Sequence, residues 1–319
     1  MNDMQPFDIL VVGGANTDYM VRGPKLPGPG DAVEGEDFHT APGGKGLNQA
    51  AAAARLGAHT ALVACVGNDD RGDEAVSRLY AEGVATRFIA RDAEARTGVV
   101  LVQVDRQGQK QTLSAPGAMQ RLTVADVEAA ADAIRAARAV LTQLEVSLEC
   151  VQAAARLGRA GGALVVLDPS PPRDLPDDLL RVVDIIKPNA REAQAITGIA
   201  VRERASARAA ADRLLARGVG TVAIQAGDEG DLLVWRDGEH WLPRLPVRSV
   251  DATGAGDAFL AGLVVRRLEG RSWADAGRFA SAAAALTTTA FGVDTSLPRR
   301  DSVLDFLAHH ERHDEVGRS

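Results

Sequence analysis

Cysteine is nearly absent: Cys65 and Cys150 are the only two in the chain, and each sits inside an apolar segment. That excludes a disulfide framework and offers no metal-ligand spacing, leaving two reduced core thiols. Aromatic residues make up 4% of the sequence, and no basic run or aromatic-studded basic patch offsets a net charge of −7. Nucleic-acid binding is excluded on that balance, and the expected partner is a small molecule. Long hydrophobic runs are missing too. The apolar stretch 9–12 is far too short for a membrane span or signal sequence, and the first eight residues carry Asp3 and Asp8 but no basic residue. The expected location is therefore the cytoplasm, with no membrane partner. Lysine is the scarcest charge: Lys25, Lys45, Lys110 and Lys187 are the only four among 36 cationic residues.

What is there is an ordinary globular composition, 319 residues with 46% hydrophobic and 25% charged, enough to bury a large core. Short β-branched runs alternate with alanine-rich segments from end to end, the pattern of parallel strands joined by crossover helices. Strands are expected at 7–13, 60–66, 139–143, 163–168, 185–187, 221–226 and 232–236. Helices are expected at 46–56, 70–82, 123–137, 148–159, 192–197, 204–216, 257–269, 272–288 and 302–309. Two stretches break the rhythm: the Pro- and Gly-rich segment 21–42, and 97–113, which reads as a hairpin turning at 105–108. These are expected to pair into a small strand layer standing off the main sheet like a lid. The final His309-His310-Glu311-Arg312-His313 could suggest metal binding, but a polar terminus that frays from about 310 is the expectation.

The densest chemistry lies at Asp251-Ala252-Thr253-Gly254-Ala255-Gly256-Asp257-Ala258-Phe259. A bare backbone turn opens an apolar helix, so N–H groups point at an incoming anion with the helix dipole behind them. Asp257 then falls in the first helical turn, where a carboxylate beside a phosphate has one obvious task, taking a proton from an attacking hydroxyl. A purely structural account is also open here: Thr253 as an N-cap, glycines for a tight turn, and an acid favoured by the dipole. A dinucleotide fingerprint would need glycine at Phe259, and Gly44-Lys45 is followed by Gly46 rather than by the Ser or Thr of a phosphate-binding P-loop.

Further polar clusters fall at predicted strand ends. Asn16 and Asp18 follow the first strand. Pro42-Gly43-Gly44-Lys45-Gly46-Leu47-Asn48-Gln49 is a second bare loop opening a helix, with a cation and an amide suited to sugar hydroxyls. Glu145 follows the strand 139–143, Asn189 and Glu192 follow 185–187, and Gln225-Ala226-Gly227-Asp228-Glu229-Gly230 follows 221–226. Each has a bland alternative: a turn former, a solvated acid, a capping box, a glycine turn. Their common position at the carboxyl ends of strands is what points to one ligand cleft.

Together these motifs resemble the ribokinase branch of the ribokinase-like (PfkB) carbohydrate kinases, from about residue 7 to 300. The likeness rests on Gly-Gly-Lys-Gly-x-Asn-Gln-Ala at 43–50, Gln143-Leu144-Glu145, and the segment from Asp251 to Asp257. The resemblance implies a three-layer α/β/α fold with a mostly parallel central sheet and a small β lid made from about 15–42 and 96–115. It implies that Asn16, Asp18, Gly44, Lys45, Asn48 and Glu145 hold a pentose, with Asp257 as base and Gly254, Ala255 and Gly256 as anion hole. Asn189 and Glu192 would organise Mg²⁺ through water, with Asn189, Gln225, Gly227, Gly230, Gly256 and Ser281 around ATP. Asp251, Thr253, Gly292 and Ser296 would hold K⁺, and a homodimer would form through the lid. Gln225, Ser281 and Met119 depart from the usual pattern, where Thr, His and a Gly-Ala-Asn run are common. The expected reaction is phosphorylation of a pentose primary hydroxyl, D-ribose first, with deoxyribose or a nucleoside as alternatives. A catalytically silent sugar-binding module is the rival of another class, against which Asp257 weighs.

Overall fold

The computed structural model describes residues 5–227 and 229–316. Its first strands are β1 (Ile9–Val12), β2 (Asn16–Arg22), β3 (Asp37–Gly43), β4 (Thr60–Gly67), β5 (Ile89–Asp92), β6 (Thr97–Val104) and β7 (Lys110–Gly117). They are followed by β8 (Ala139–Gln143), β9 (Leu164–Asp168), β10 (Ile185–Ile186), β11 (Thr221–Gln225), β12 (Gly230–Trp235) and β13 (Gly238–Pro243). Nine form the main sheet in the order β13-β12-β11-β10-β9-β8-β1-β4-β5, and four form a second sheet in the order β3-β2-β6-β7. The main sheet is parallel except where β12 pairs antiparallel with β11 and with β13.

Strands β1, β4 and β8 are buried at every residue, which is why they read as continuous apolar runs instead of alternating ones. The period of two still sorts their side chains. Leu10 and Val12 enter one core with Val140 and Val165, while Ile9 and Val11 enter the other with Leu62 and Val166. Helices Leu148–Gly161 and Arg204–Ala216 cover the first face; helices Lys45–Arg55, Ala255–Leu268 and Trp273–Thr287 cover the second. The architecture is the expected three-layer α/β/α fold with a small β layer.

Two main-sheet strands escape a reading of the sequence. β5 and β13 are edges, Ile-Ala-Arg-Asp and Gly-Glu-His-Trp-Leu-Pro, half exposed and too polar to show a buried run. The single helix expected over 123–137 is two, Val124–Ala129 and Ala131–Ala136, because Ala130 donates to Val127 O in a tighter turn. Backbone through Val316 is helical, and the rest of the tail expected to fray, residues 317–319, lies outside the described residues.

The second sheet grows directly out of the first. β2 continues β1 after a three-residue link and β6 follows β5, so β2 and β6 pair in parallel, with β3 and β7 antiparallel outside them. Met20, Val102 and Val104 form its small inward core, packed with Val100 and Phe291. At the link, a Cβ on Gly13 would lie 1.8 Å from Gln143 Oε1, and one on Gly46 would lie 2.6 Å from the Gly13 carbonyl carbon. Only glycine lets the helix Lys45–Arg55 start this close to the end of β1.

Candidate active site

Apart from the run 309–313, the polar clusters singled out in the sequence gather beyond the carboxyl ends of β1, β8, β9, β10 and β11. Asn16 and Asp18 belong to β2 itself, not to a turn, and Asn16 Nδ2 donates to Asp18 Oδ1 at 2.7 Å. The register pairs Asn16 with Gly43, and a Cβ on Gly43 would lie 2.2 Å from Asp18 Oδ2. The glycines of that loop therefore exist to admit these two side chains. Burial pushes the Asp18 carboxyl up to about 6 against the Asn16 hydrogen bond.

The helix Lys45–Arg55 starts at Gly44, whose φ of 92° belongs to the left-handed region. Its first backbone N–H, Lys45 N, donates to Glu145 Oε2 at 2.8 Å, an acid at a helix N-terminus. Lys45 Nζ reaches Asp168 Oδ2 at 2.8 Å and stands 3.6 Å from Asp257 Oδ1. Gln49, one helical turn on, donates through Nε2 to Asp168 Oδ2 at 2.9 Å and to Asp257 Oδ1 at 3.0 Å. Gln143 Nε2 in turn donates to Gln49 Oε1 at 2.6 Å. Asn48, on the same helix, is 4% exposed and its Oδ1 has no hydrogen-bond partner among the described residues.

Electrostatically the cluster is over-supplied with acid. Burial drives Glu145 up to about 7 despite Lys45. Burial likewise raises Asp257, with Lys45 opposing and the Asp168 carboxylate adding. Burial alone would lower Lys45, but Asp168 and Asp257 hold its ammonium well above the ordinary lysine value. Asp257 is thus a buried carboxylate with raised proton affinity, in the first turn of the helix Ala255–Leu268. That helix opens on Gly254 in the left-handed region, and no side chain caps it. The first N–H groups of such a helix have no intrahelical partner, which leaves them for an anion.

On the far side of the glycine turn lies a cavity of about 470 Å³, whose walls include Lys187, Gln225, Asp231, Ala255, Gly256 and Ser281. Ser281 Oγ is buried there with no partner among the described residues. Gly227 and Gly230 do not line this cavity. They shape the turn between β11 and β12, where a Cβ on Gly230 would strike Leu242 O at 2.2 Å, and Asp228 of that turn lies outside the described residues. Asn189 and Glu192 form the capping box of the helix Ala190–Thr197: Asn189 N and Nδ2 donate to the two Glu192 oxygens at 2.8 and 2.7 Å. Burial raises the Glu192 carboxyl, and Asp168 adds to it.

A further group, at Asp251, joins the second sheet to the turn. Thr253 N and Oγ1 donate to Asp251 Oδ1 at 3.0 and 2.7 Å, and Lys110 Nζ donates to the same oxygen at 2.6 Å and to Thr253 Oγ1 at 2.7 Å. Gly292 N lies 3.4 Å from Asp251 Oδ2, and Ser296 Oγ is buried without a partner among the described residues. Sequence reasoning missed Gln49, Gln143, Asp168, Lys187 and Lys110 as members of the site. Lys187 Nζ stands 2.9 Å from where a Cβ on Gly256 would be, a cation directly over the anion turn. Chemically, the arrangement places a carboxylate with raised proton affinity between a chamber of polar side chains and an uncapped helix N-terminus that faces a cavity.

The sequence pattern of the pfkB family of carbohydrate kinases matches residues 7–300. A ribokinase of Haemophilus influenzae is 36% identical over 301 residues, covering 94% of this chain and 98% of the relative. A deoxyribokinase of Salmonella typhi is 30% identical over 305 residues, 95% of this chain and all of the relative. Among solved structures, the ribokinase of Arabidopsis thaliana complexed with ribose and ATP superposes with a TM-score of 0.85. It is 31% identical and covers 95% of this chain and 99% of its own.

Proposed function

The chain belongs to the pfkB family of carbohydrate kinases, and from that premise we propose that it transfers the γ-phosphate of ATP to the primary hydroxyl of D-ribose, giving ribose 5-phosphate. The observation that carries this reading is Asp257. One residue past the glycine turn, it is tied through Gln49 to Asp168 and lies 3.6 Å from Lys45 Nζ, so a base, a hydroxyl-binding chamber and an anion turn share one wall.

The sugar occupies the chamber of Asn16, Asp18, Gly44, Lys45, Asn48 and Glu145. The unpartnered Asn48 Oδ1 accepts from a sugar hydroxyl, since a buried acceptor left without a donor costs free energy. Asp257 takes the proton of the primary hydroxyl as its oxygen forms a bond to the γ-phosphorus and the bond from that phosphorus to the β-phosphate oxygen breaks. N–H groups of Gly254, Ala255 and Gly256, with Lys187 above them, hold the charge that builds on the transferring group. ATP lies in the cavity bordered by Gln225, Gly256 and Ser281; Gly227 and Gly230 act through the turn that follows Gln225, and Asn189 through the capping box after β10.

Asn189 and Glu192 suit Mg²⁺ held through water: one carboxylate and one amide oxygen, with no all-protein cage of three acids among the described residues. Bound there, Mg²⁺ neutralises charge on the phosphates. The K⁺ expected at Asp251, Thr253, Gly292 and Ser296 does not fit the residues as they stand, because Lys110 Nζ already takes the Asp251 and Thr253 oxygens. Two unit charges about 4 Å apart repel by about 4 kcal/mol near a protein surface, so no step here runs through K⁺. Assembly as a homodimer through the second sheet is part of the same proposal. Val21, Phe38, Leu101 and Leu113 are exposed on one face of it, Val21 opposite Phe38 and Leu101 opposite Leu113 in rows two residues apart. Among the described residues no helix is long and apolar enough to cross a membrane, and we place the enzyme in the cytoplasm.

The deoxyribokinase relative makes the 2-deoxy sugar the specific rival. ADP release measured with ribose, deoxyribose, fructose and adenosine separates them. Ribose is expected to give the highest kcat/KM; preference for deoxyribose or adenosine reassigns the substrate, and no ADP release with any of the four overturns the kinase reading.

A further inference from the structure

Lys110 stands at the start of β7, in the β6–β7 hairpin of the second sheet, yet its ammonium lies on the far segment that opens the helix Ala255–Leu268. It donates to Asp251 Oδ1 at 2.6 Å across 141 residues of sequence and to Thr253 Oγ1 at 2.7 Å. The Asp251 side chain is 2% exposed and that of Lys110 30%. Burial pushes the Asp251 carboxyl up, but the hydrogen bonds from Lys110 and Thr253 outweigh it and hold the group below the usual carboxylate range.

We propose that Lys110 is a tethered monovalent cation: its ammonium fills the place that the family resemblance gives to K⁺, and it orders residues 251–253 so that the following N–H groups face the phosphate. The inference rests on the phosphoryl-transfer reading for its purpose, not for its geometry. A lysine ammonium is a compact unit charge with three donors, closer in size and charge to a monovalent metal ion than the broad planar guanidinium of arginine is. That matters in a chain where 36 cationic residues include only four lysines. Asp251 without this partner would be a buried anion supported only by Thr253 and a 3.4 Å approach from Gly292 N, a costly arrangement. Because the ammonium rides on the β6–β7 hairpin, it ties the second sheet to the segment that opens the anion turn, and Lys110 acts as a positioning residue.

The test compares wild type with Lys110→Met in buffers where K⁺ replaces tetramethylammonium at constant ionic strength. Two quantities are read: Tm without substrates, and kcat with ribose and ATP. Wild type is expected to change by less than about twofold in kcat and to show no K⁺-specific rise in Tm. Lys110→Met is expected to lose about tenfold or more in kcat without K⁺, to regain it on K⁺ addition, and to acquire a saturable K⁺-dependent rise in Tm. A wild type whose Tm or kcat rises severalfold or saturably with K⁺, or a variant indifferent to K⁺ in both, overturns the proposal. Should the variant fail to fold, the wild-type titration still decides. If neither protein releases ADP but only the variant shows the K⁺-dependent Tm, the tethered cation stands and the kinase reading falls.

Discussion

Lys45 and Asp168, 123 residues apart in the chain, meet at 2.8 Å through Nζ and Oδ2, and this pair tunes the proton affinity that burial raises at Asp257. Asp168 raises the Asp257 carboxyl, while Lys45 lowers it from 3.6 Å. Asp168→Asn removes the like charge and leaves Lys45 free to turn to Asp257. The base must be ionised to work, so activity lies above its pKa and the acid limb of kcat/KM moves to lower pH, by about half a unit or more. A pH profile of the variant with its limb unmoved would contradict the assignment.

Asp257→Asn keeps an acceptor for Gln49 Nε2, now at 3.0 Å, but no base. The expected loss in kcat is about 10²- to 10⁴-fold, with ribose affinity by calorimetry changed by no more than a few fold. Near-normal turnover would show that another group takes the proton.

Glu145 is held up at about 7 by burial, from an ordinary 4.5. A folded-state pKa raised in this way contributes stability that is fully present below 4.5 and is lost as pH rises through about 7. Glu145→Gln removes the buried charge, so the substrate-free variant should melt about 2 °C or more above wild type at a pH near 8, about one kcal/mol in a chain of this size. Near pH 5 the gain should be much smaller, and below pH 4.5 it should vanish. Sugar affinity should fall at both. An equal change in Tm at the two pH values would mean that packing, not ionisation, is responsible.

Lys187 stands over Gly256 and 5.8 Å from the Phe259 ring centroid. Lys187→Met keeps the stem and removes the charge, for an expected loss of about 10²-fold in kcat and a higher KM for ATP, with KM for ribose little changed. Lys187 also lowers Asp257, so here the acid limb moves to higher pH, opposite to Asp168→Asn. Loss of ribose affinity without loss of kcat would remove Lys187 from the anion site.

The parallel strands were legible because both faces of β1, β4 and β8 are buried, and burial on both sides writes an unbroken apolar run. β5 and β13 left no such run. The motif residues converge where the glycine loops indicated, but the wiring among them did not show. Asp168 ends a strand just before a proline-rich stretch, where an acid reads as punctuation. Gln49 sits in an alanine run, and only its place four residues after Lys45, on the same helical face, signalled a shared role. Lys187 ends a strand just before the Asn189–Glu192 capping box, and nothing local in the sequence distinguishes a cation that faces solvent from one that faces a cavity. Lys110 could not be found at all without the hairpin laid across the turn.

The helix Lys45–Arg55 packs its alanine face, Ala50–Ala53, into the same core as the helix Ala255–Leu268, and Gln49 and Asp257 are 208 residues apart. On the ribosome that face can rest early on β1 and β4, but its helical neighbour arrives only after most of the polypeptide has been made. The nascent enzyme therefore carries a half-covered apolar patch through much of its synthesis, and chaperone capture or aggregation should concentrate in that interval.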